Sequence, residues 1–363
     1  MKKIDWYILK KFVVTFFFCM MLFTLIAVAV DTSEKTDDFV KTGLSSLQII
    51  RQYYFGFVPF IWGLLFPLFV FIAVIFFTSR MATRSEIIAI LASGASYNRL
   101  LRPYIIGGVM FAIMLWYGNT YLIPHANQIK SNFQTTYFDK NNPQSRGGDC
   151  WNCFYLRIDT NTYIGIKFYD TASKSASSFF MERIKDDKVV YNLRSNSIRW
   201  DTATRKWKLS NVTERIVGSM TELIKQHPDT IINIALKPEE LRKDDYLKDK
   251  LITPELVAFI KREEMRGREG LSPLKVEQYR RTATPATVLL LTLIGVVIAS
   301  RKSRGGSGMH LALGIVIAAV FIISDRFSTV FATKSNFHPL LAAWLPNIVF
   351  SVVAYWMYRK TPK

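Results

Sequence analysis

The sequence predicts an α-helical membrane protein with six transmembrane helices and an inserted all-β domain, jelly-roll-like, outside the cytoplasm. Three observations predict it. Half of the 363 residues are hydrophobic, and they are gathered into long uncharged runs instead of being dispersed as in a water-soluble core. The runs form two groups of three, before residue 126 and after residue 280. Between the groups, short strand-like alternations are separated by polar turns.

The runs at 12–30, 53–78, 103–123, 282–300 and 339–358 contain no charged residue. Each is near the roughly 20 residues that cross a hydrocarbon layer of about 30 Å. A sixth, 311–324, meets Asp325 and Arg326 and resumes to Thr333. Trp6, Tyr7, Tyr53, Tyr54, Trp116, Tyr117, Tyr355, Trp356 and Tyr358 crowd the span ends, as interfacial belts do. The first run has a second reading, a signal peptide cut after Ala27-Val28-Ala29. Its length, and the amphipathic lead-in of Ile4, Tyr7, Ile8 and Lys11, favour a retained helix.

Lys and Arg in the short loops set the orientation. Lys2, Lys3, Lys10 and Lys11, then Arg80, Arg84, Arg99 and Arg102, then Arg301, Lys302 and Arg304, then Arg359, Lys360 and Lys363 all fall on one side. These 14 residues face only Asp5 and Glu86, so most of the +19 net charge is a topology signal and not a nucleic-acid surface. That side is expected to be cytoplasmic, with the segment around 127–277 outside it.

Residues 154–236 read as strands. Phe154, Leu156 and Ile158 alternate with Tyr155, Arg157 and Asp159, and runs at 163–169, 178–184, 189–193, 197–200 and 207–209 follow. Cys150 and Cys153 open the domain as C-x-x-C. A zinc site lacks two further ligands and a redox site lacks a βαβ context, so a short-range disulfide is the plain reading outside the cytoplasm. Thr253-Pro254 starts a helix with Leu256, Phe259 and Ile260 on one face and a mixed, solvated charge run at 261–268.

The loop at 79–103 is too patterned for a turn. Thr83-Arg84-Ser85-Glu86 fits a capping box, Ile87, Ile88, Leu91 and Ala92 follow, and Gly94 stops the helix. This helix docks on a cytoplasmic partner or rests on the membrane surface, and Glu86 is a partner contact or only a cap. No G-x-x-x-x-G-K-[ST] occurs, and His125, His227, His310 and His338 form no cluster. No cofactor, metal or catalytic residue is expected.

Four segments resemble the LptF/LptG (YjgP/YjgQ) permease family. They are Ile4-Asp5-Trp6-Tyr7-Ile8, the loop Ser85-Glu86-Ile87-Ile88-Ala89-Ile90-Leu91-Ala92-Ser93-Gly94, Arg304-Gly305-Gly306-Ser307-Gly308, and Ala342-Ala343-Trp344-Leu345-Pro346-Asn347. The lead-in and residues 31–43 look more like LptG. The resemblance implies a permease subunit of an ABC transporter that extracts lipopolysaccharide from the bacterial inner membrane, with ATP hydrolysed by a separate chain. It implies an LptF-like permease partner, a cytoplasmic LptB-like ATPase dimer and periplasmic LptC/LptA-like bridge proteins. The loop at about 80–102 would be the coupling helix, with Arg84, Glu86, Ile87 and Leu91 at the ATPase. The layout is then helices one to three in 1–126, a periplasmic β domain in 127–250, a connecting helix in 251–280 and helices four to six in 281–363. The Cys150/Cys153 pair is foreign to the family pattern.

Lipid A is anionic and multiply acylated, so its permease needs an apolar cleft and cations at the outer headgroup level. Lys35, Lys41, Arg280, Arg281 and Arg326 are the candidates, beside Lys334. Arg326 stands out because charge within a span is costly, although it also fits a salt bridge with Asp325 or snorkelling. Two competing functions are a stand-alone secondary lipid transporter and a membrane-tethered periplasmic ligand-binding adaptor or sensor. The spans lack the buried acid pair a coupled transporter needs, and an associated ATPase would separate all three.

Overall fold

The computed structural model describes residues 3–138, 154–170, 173–186, 188–218, 221–234, 236, 238, 246–267, 270–301, 306–335 and 337–360. Among the described residues, six helices are long and apolar enough to cross a membrane. The chain divides into two compact units, one comprising Met1–Lys140, Tyr246–Val257 and Ser272–Lys363, the other Asn141–Asp245 with Ala258–Leu271.

In the first unit α1 (Lys3–Glu34) runs straight through the lead-in and first span, followed by α2 (Thr36–Thr42) and α3 (Ser46–Ile49). A π-helical turn, Ile50–Tyr54, enters α4 (Phe55–Thr83), the second span. The short α5 (Glu86–Ala92) precedes α6 (Tyr97–Tyr117), which continues through the π turn Gly118–Leu122 into α7 (Ile123–Phe133) and a third π turn, Gln134–Phe138. The chain returns through α8 (Leu247–Lys250) and the start of α9 (Thr253–Met265), whose residues from Ala258 belong to the second unit. It ends in three spans: α10 (Ser272–Ala299), α11 (Gly306–Lys334) and α12 (Pro339–Arg359).

α10 is the hub of this unit. Its apolar stretch is 72% buried, against 11% for that of α1. Val288, Ile294, Val296 and Ala299 of α10 are buried, as are Phe69, Val70, Phe71 and Val74 of α4. α1 touches the bundle by one narrow stripe, Asp5, Ile8, Phe12, Phe16 and Cys19, at helical spacing. Phe12 and Phe16 pack on Phe111 at 5.1 and 4.2 Å between ring centres. At the end that carries the chain termini, Tyr358 donates to Asn98 Oδ1 at 2.5 Å and Arg301 to the Lys360 carbonyl at 2.9 Å.

The second unit is an antiparallel sheet whose six strands neighbour one another in chain order. They are β1 (Phe154–Asp159), β2 (Thr162–Asp170), β3 (Ser175–Lys185), β4 (Lys188–Asp201), β5 (Lys206–Val217) and β6 (Glu222–Ile232). One face buries Leu156, Ile164, Ile166, Phe179, Leu193, Ile198, Trp207, Leu209 and Val212. Trp207 donates its indole N–H to the Leu236 carbonyl at 2.8 Å. Register shifts fall at Ile166/Lys167 and Lys167/Tyr169, beside the left-handed Phe168 (φ 53°), so β2 is bulged and bent. The expected all-β insert is therefore present. Two of its expected short strands, 189–193 and 197–200, are one continuous strand, β4. Cys150 and Cys153 lie outside the described residues, as do Arg304 and Gly305.

α9 starts at Thr253 as expected. Glu263, read as part of a solvated charge run, is instead 2% exposed. Arg266 reaches it at 3.3 Å and Arg262 at 3.8 Å, because an acid taken out of water needs cations beside it.

Candidate functional site

The loop between the second and third spans folds as a short helix between two left-handed residues, Ser85 (φ 59°) and Gly94 (φ 85°). The capping box does not form. Thr83 ends α4, donating its hydroxyl to the Ser79 carbonyl at 2.9 Å, and α5 begins at Glu86. Gly94 does stop the helix, its N–H donating to the Leu91 carbonyl at 3.0 Å. Ile87 is 1% exposed in the apolar cluster that includes Ile8, Met81 and Leu100, with Leu91 packed against it. Arg84 and Ile88 are exposed. Glu86 is half-buried; its Oε2 accepts from the Tyr7 hydroxyl at 3.1 Å and from Lys11 Nζ at 3.2 Å.

The second feature is a cleft at the other end of the bundle, made of two parts that share Leu64, Arg280, Thr284 and Arg326. One part is walled by Leu65, Pro67 and Leu68 of α4, Leu291 of α10, and Ala318, Phe321 and Ile322 of α11. The other is polar, with Asn119, Asn127, Lys248, Asp249, Glu277 and Arg281 in its wall. Arg280 and Arg326 stand at the seam. Among the described residues neither guanidinium makes a hydrogen bond or an ion pair. The expected alternative for Arg326, a bridge to Asp325, is not made. The carboxylates of Glu277, Asp325 and Asp249 act on Arg280 only through space. Asn127 adds a buried Oδ1 that has no partner among the described residues.

Sequence reasoning could not tell Arg280 from its neighbour. Arg281 is 5% exposed and fully engaged. It donates to Glu277 at 3.3 Å, to the Lys248 and Leu251 carbonyls at 2.9 and 2.8 Å, and to Thr253 Oγ1 at 3.1 Å. A planar fork suits this task, and the task is to pin the returning chain on α10. Asp249 sits in the same wall. Burial, and next the Glu277 carboxylate, push its carboxyl above the usual range against the pull of Lys248, Arg280 and Arg281.

Lys35 and Lys41 do not line this cleft. Lys35 donates to Asp31 Oδ1 at 2.5 Å and to the Tyr53 hydroxyl, which itself donates to Asp31 at 3.1 Å. Its ammonium lies 4.9 Å from the Tyr53 ring centre and 5.6 Å from that of Phe57. Lys41 is exposed and 3.4 Å from Asp38. Asp31 was not foreseen as part of this group. Its spacing of four from Lys35 was the signal that could have found it.

Six helices fit to span a membrane, with α4, α10, α11 and the run from α6 into α7 walling a cleft that is apolar in one part and polar in the other, define a multi-pass membrane protein. The chain belongs to a family: the model of the lipopolysaccharide export system permease LptF/LptG matches residues 6–360, both helical groups and the sheet together. It is thus a lipopolysaccharide export permease of the inner membrane. Comparison with curated protein sequences returned no match.

Proposed function

We propose that this chain is the G-like half of a paired permease that lifts lipopolysaccharide out of the inner membrane, driven by a separate ATPase. The observation that carries this reading is the seam of the cleft. Arg280 and Arg326 hold unspent guanidinium donors where an apolar wall meets a polar one, which suits the phosphate of a lipid whose chains need the apolar side. Arg281 shapes the polar wall, while Lys35 and Lys41 offer cations at the end of α1. The Lys and Arg of the short loops support a cytoplasmic side for both termini and α5, with Arg84, Glu86, Ile87 and Leu91 forming or supporting the ATPase dock. The sheet then extends into the periplasm toward a bridge protein.

The test is a photoreactive residue at Ile322, read by crosslinking to lipopolysaccharide in membranes, together with co-purification of the ATPase. A crosslink lost in an Arg280→Gln, Arg326→Gln variant supports the cleft. An undiminished crosslink, or purification without any ATPase, sinks the corresponding half of the reading.

A further inference from the structure

Two ion pairs flank α5, and both run to the same helix. Ahead of α5's buried anchor Ile87, Glu86 takes Tyr7 and Lys11 of α1. Beyond α5, Arg99 in the first turn of α6 donates to Asp5 Oδ2 at 2.7 Å, with Asp5 only 4% exposed. Tyr7 and Lys11 are one turn apart, and the Lys11 ammonium lies 4.2 Å from the Tyr7 ring centre, so the donors form one unit on α1. The partners are 75 to 94 residues apart in the chain. The α5 helix itself is a seven-residue piece between the left-handed residues Ser85 and Gly94, where the backbone changes direction.

The Glu86 pair is too exposed to add much stability. Its value is geometric. α1 is the span least covered by its own chain, and beyond Cys19 its only buried residue is Asp31. Ties at its terminal end therefore have leverage over a long, loosely packed rod. We propose that Asp5, Tyr7 and Lys11 are positioning residues that make α1 move with α5 and the start of α6, through Glu86 on the one and Arg99 on the other. Glu86 then serves transport as an internal brace and not only as a dock. A load that tilts α5 pulls on α1 through these side chains. The inference rests on the reading of α5 as the ATPase dock, and it adds where the displacement goes.

The test uses the assembled transporter in lipopolysaccharide-containing proteoliposomes, with release to a periplasmic acceptor normalised to permease content. Lys11→Met should lower extraction about tenfold while ATP hydrolysis and ATPase yield stay within about twofold of the parent, and Lys11→Arg should restore extraction. The reversed pair Lys11→Glu, Glu86→Lys should extract better than Lys11→Glu alone. Normal extraction by Lys11→Met overturns the brace, and so does a reversed pair that keeps the parental ATPase yield yet extracts no better than the single variant. A parent complex that carries no ATPase would sink the docking reading instead, and that result is visible before any variant is made.

Discussion

Asn347 and Thr287 are locked together inside the bundle. The Thr287 hydroxyl donates to Asn347 Oδ1 at 2.8 Å, and Asn347 Nδ2 donates to the Ala283 carbonyl at 3.0 Å. Asn347 is 6% exposed and ends the Ala-Trp-Leu-Pro-Asn run of α12. A side-chain amide away from water needs such partners, and here they fix α12 on α10 beside Pro346. Asn347→Leu should cost about 1–2 kcal/mol and lower the thermal midpoint of the detergent-solubilised protein. An unchanged midpoint would mean that apolar packing alone holds this crossing.

Gly56 marks the closest approach of α4 to α7. A Cβ there would lie 2.5 Å from the Ala126 carbonyl oxygen and 2.6 Å from the Lys130 backbone nitrogen, and neither can swing aside. Gly56→Ala should therefore destabilise by about 1–3 kcal/mol. Gly308→Ala, where a Cβ meets nothing within 4 Å, is the matched control and should be neutral. Equal midpoints for the two variants would refute the close approach.

Asp249 gives a pH signature. Its carboxyl is held above the usual range by burial and by Glu277. An acid raised on folding binds more protons folded than unfolded. Its contribution is thus most favourable below the unfolded pKa and is lost as pH rises through the folded one. Asp249→Asn should raise the thermal midpoint at about pH 8 and change it less at about pH 4. A lower midpoint at the higher pH would show that Lys248, Arg280 and Arg281 outweigh burial.

The seam cation separates from its neighbour by position. Arg326 lines the cleft, while Lys334 is exposed in the last turn of the same helix. With permease levels equal, Arg326→Gln should lower lipopolysaccharide extraction about tenfold and Lys334→Gln by less than about twofold, because a charge near hydrocarbon is screened less than one in water. Equal losses would assign both cations to interfacial anchoring.

The spans were legible in the sequence because lipid imposes one requirement on every residue of a spanning helix. Strand β4 was not, because Arg194, Ser195 and Asn196 interrupt its apolar alternation. The fold buries Ser195, whose hydroxyl serves the Ser197 and Ser210 carbonyls at 2.7 Å each. The start of α5 was misplaced for a similar reason. Thr83 and Glu86 have capping-box spacing, but the Thr83 hydroxyl is claimed by the helix behind it. At the site, a list of basic residues was available from the sequence. Their division was not, since adjacent positions on a helix point about 100° apart. Only the fold separates Arg281, spent on backbone carbonyls, from Arg280, which is not.

Asp325 and Arg326 also bear on how the protein is made. The first span is an uninterrupted apolar stretch and can enter a bilayer as soon as it is synthesised. α11 cannot do so as cheaply, because charge within a span opposes insertion, by up to about 3 kcal/mol at the centre and less toward the ends. By the time α11 is synthesised, α4 and α10 already exist, with Arg280 and Thr284 facing the space that α11 will close. Partition of the fifth helix is thereby expected to depend on assembly of the earlier ones, since the wall that takes Arg326 is theirs.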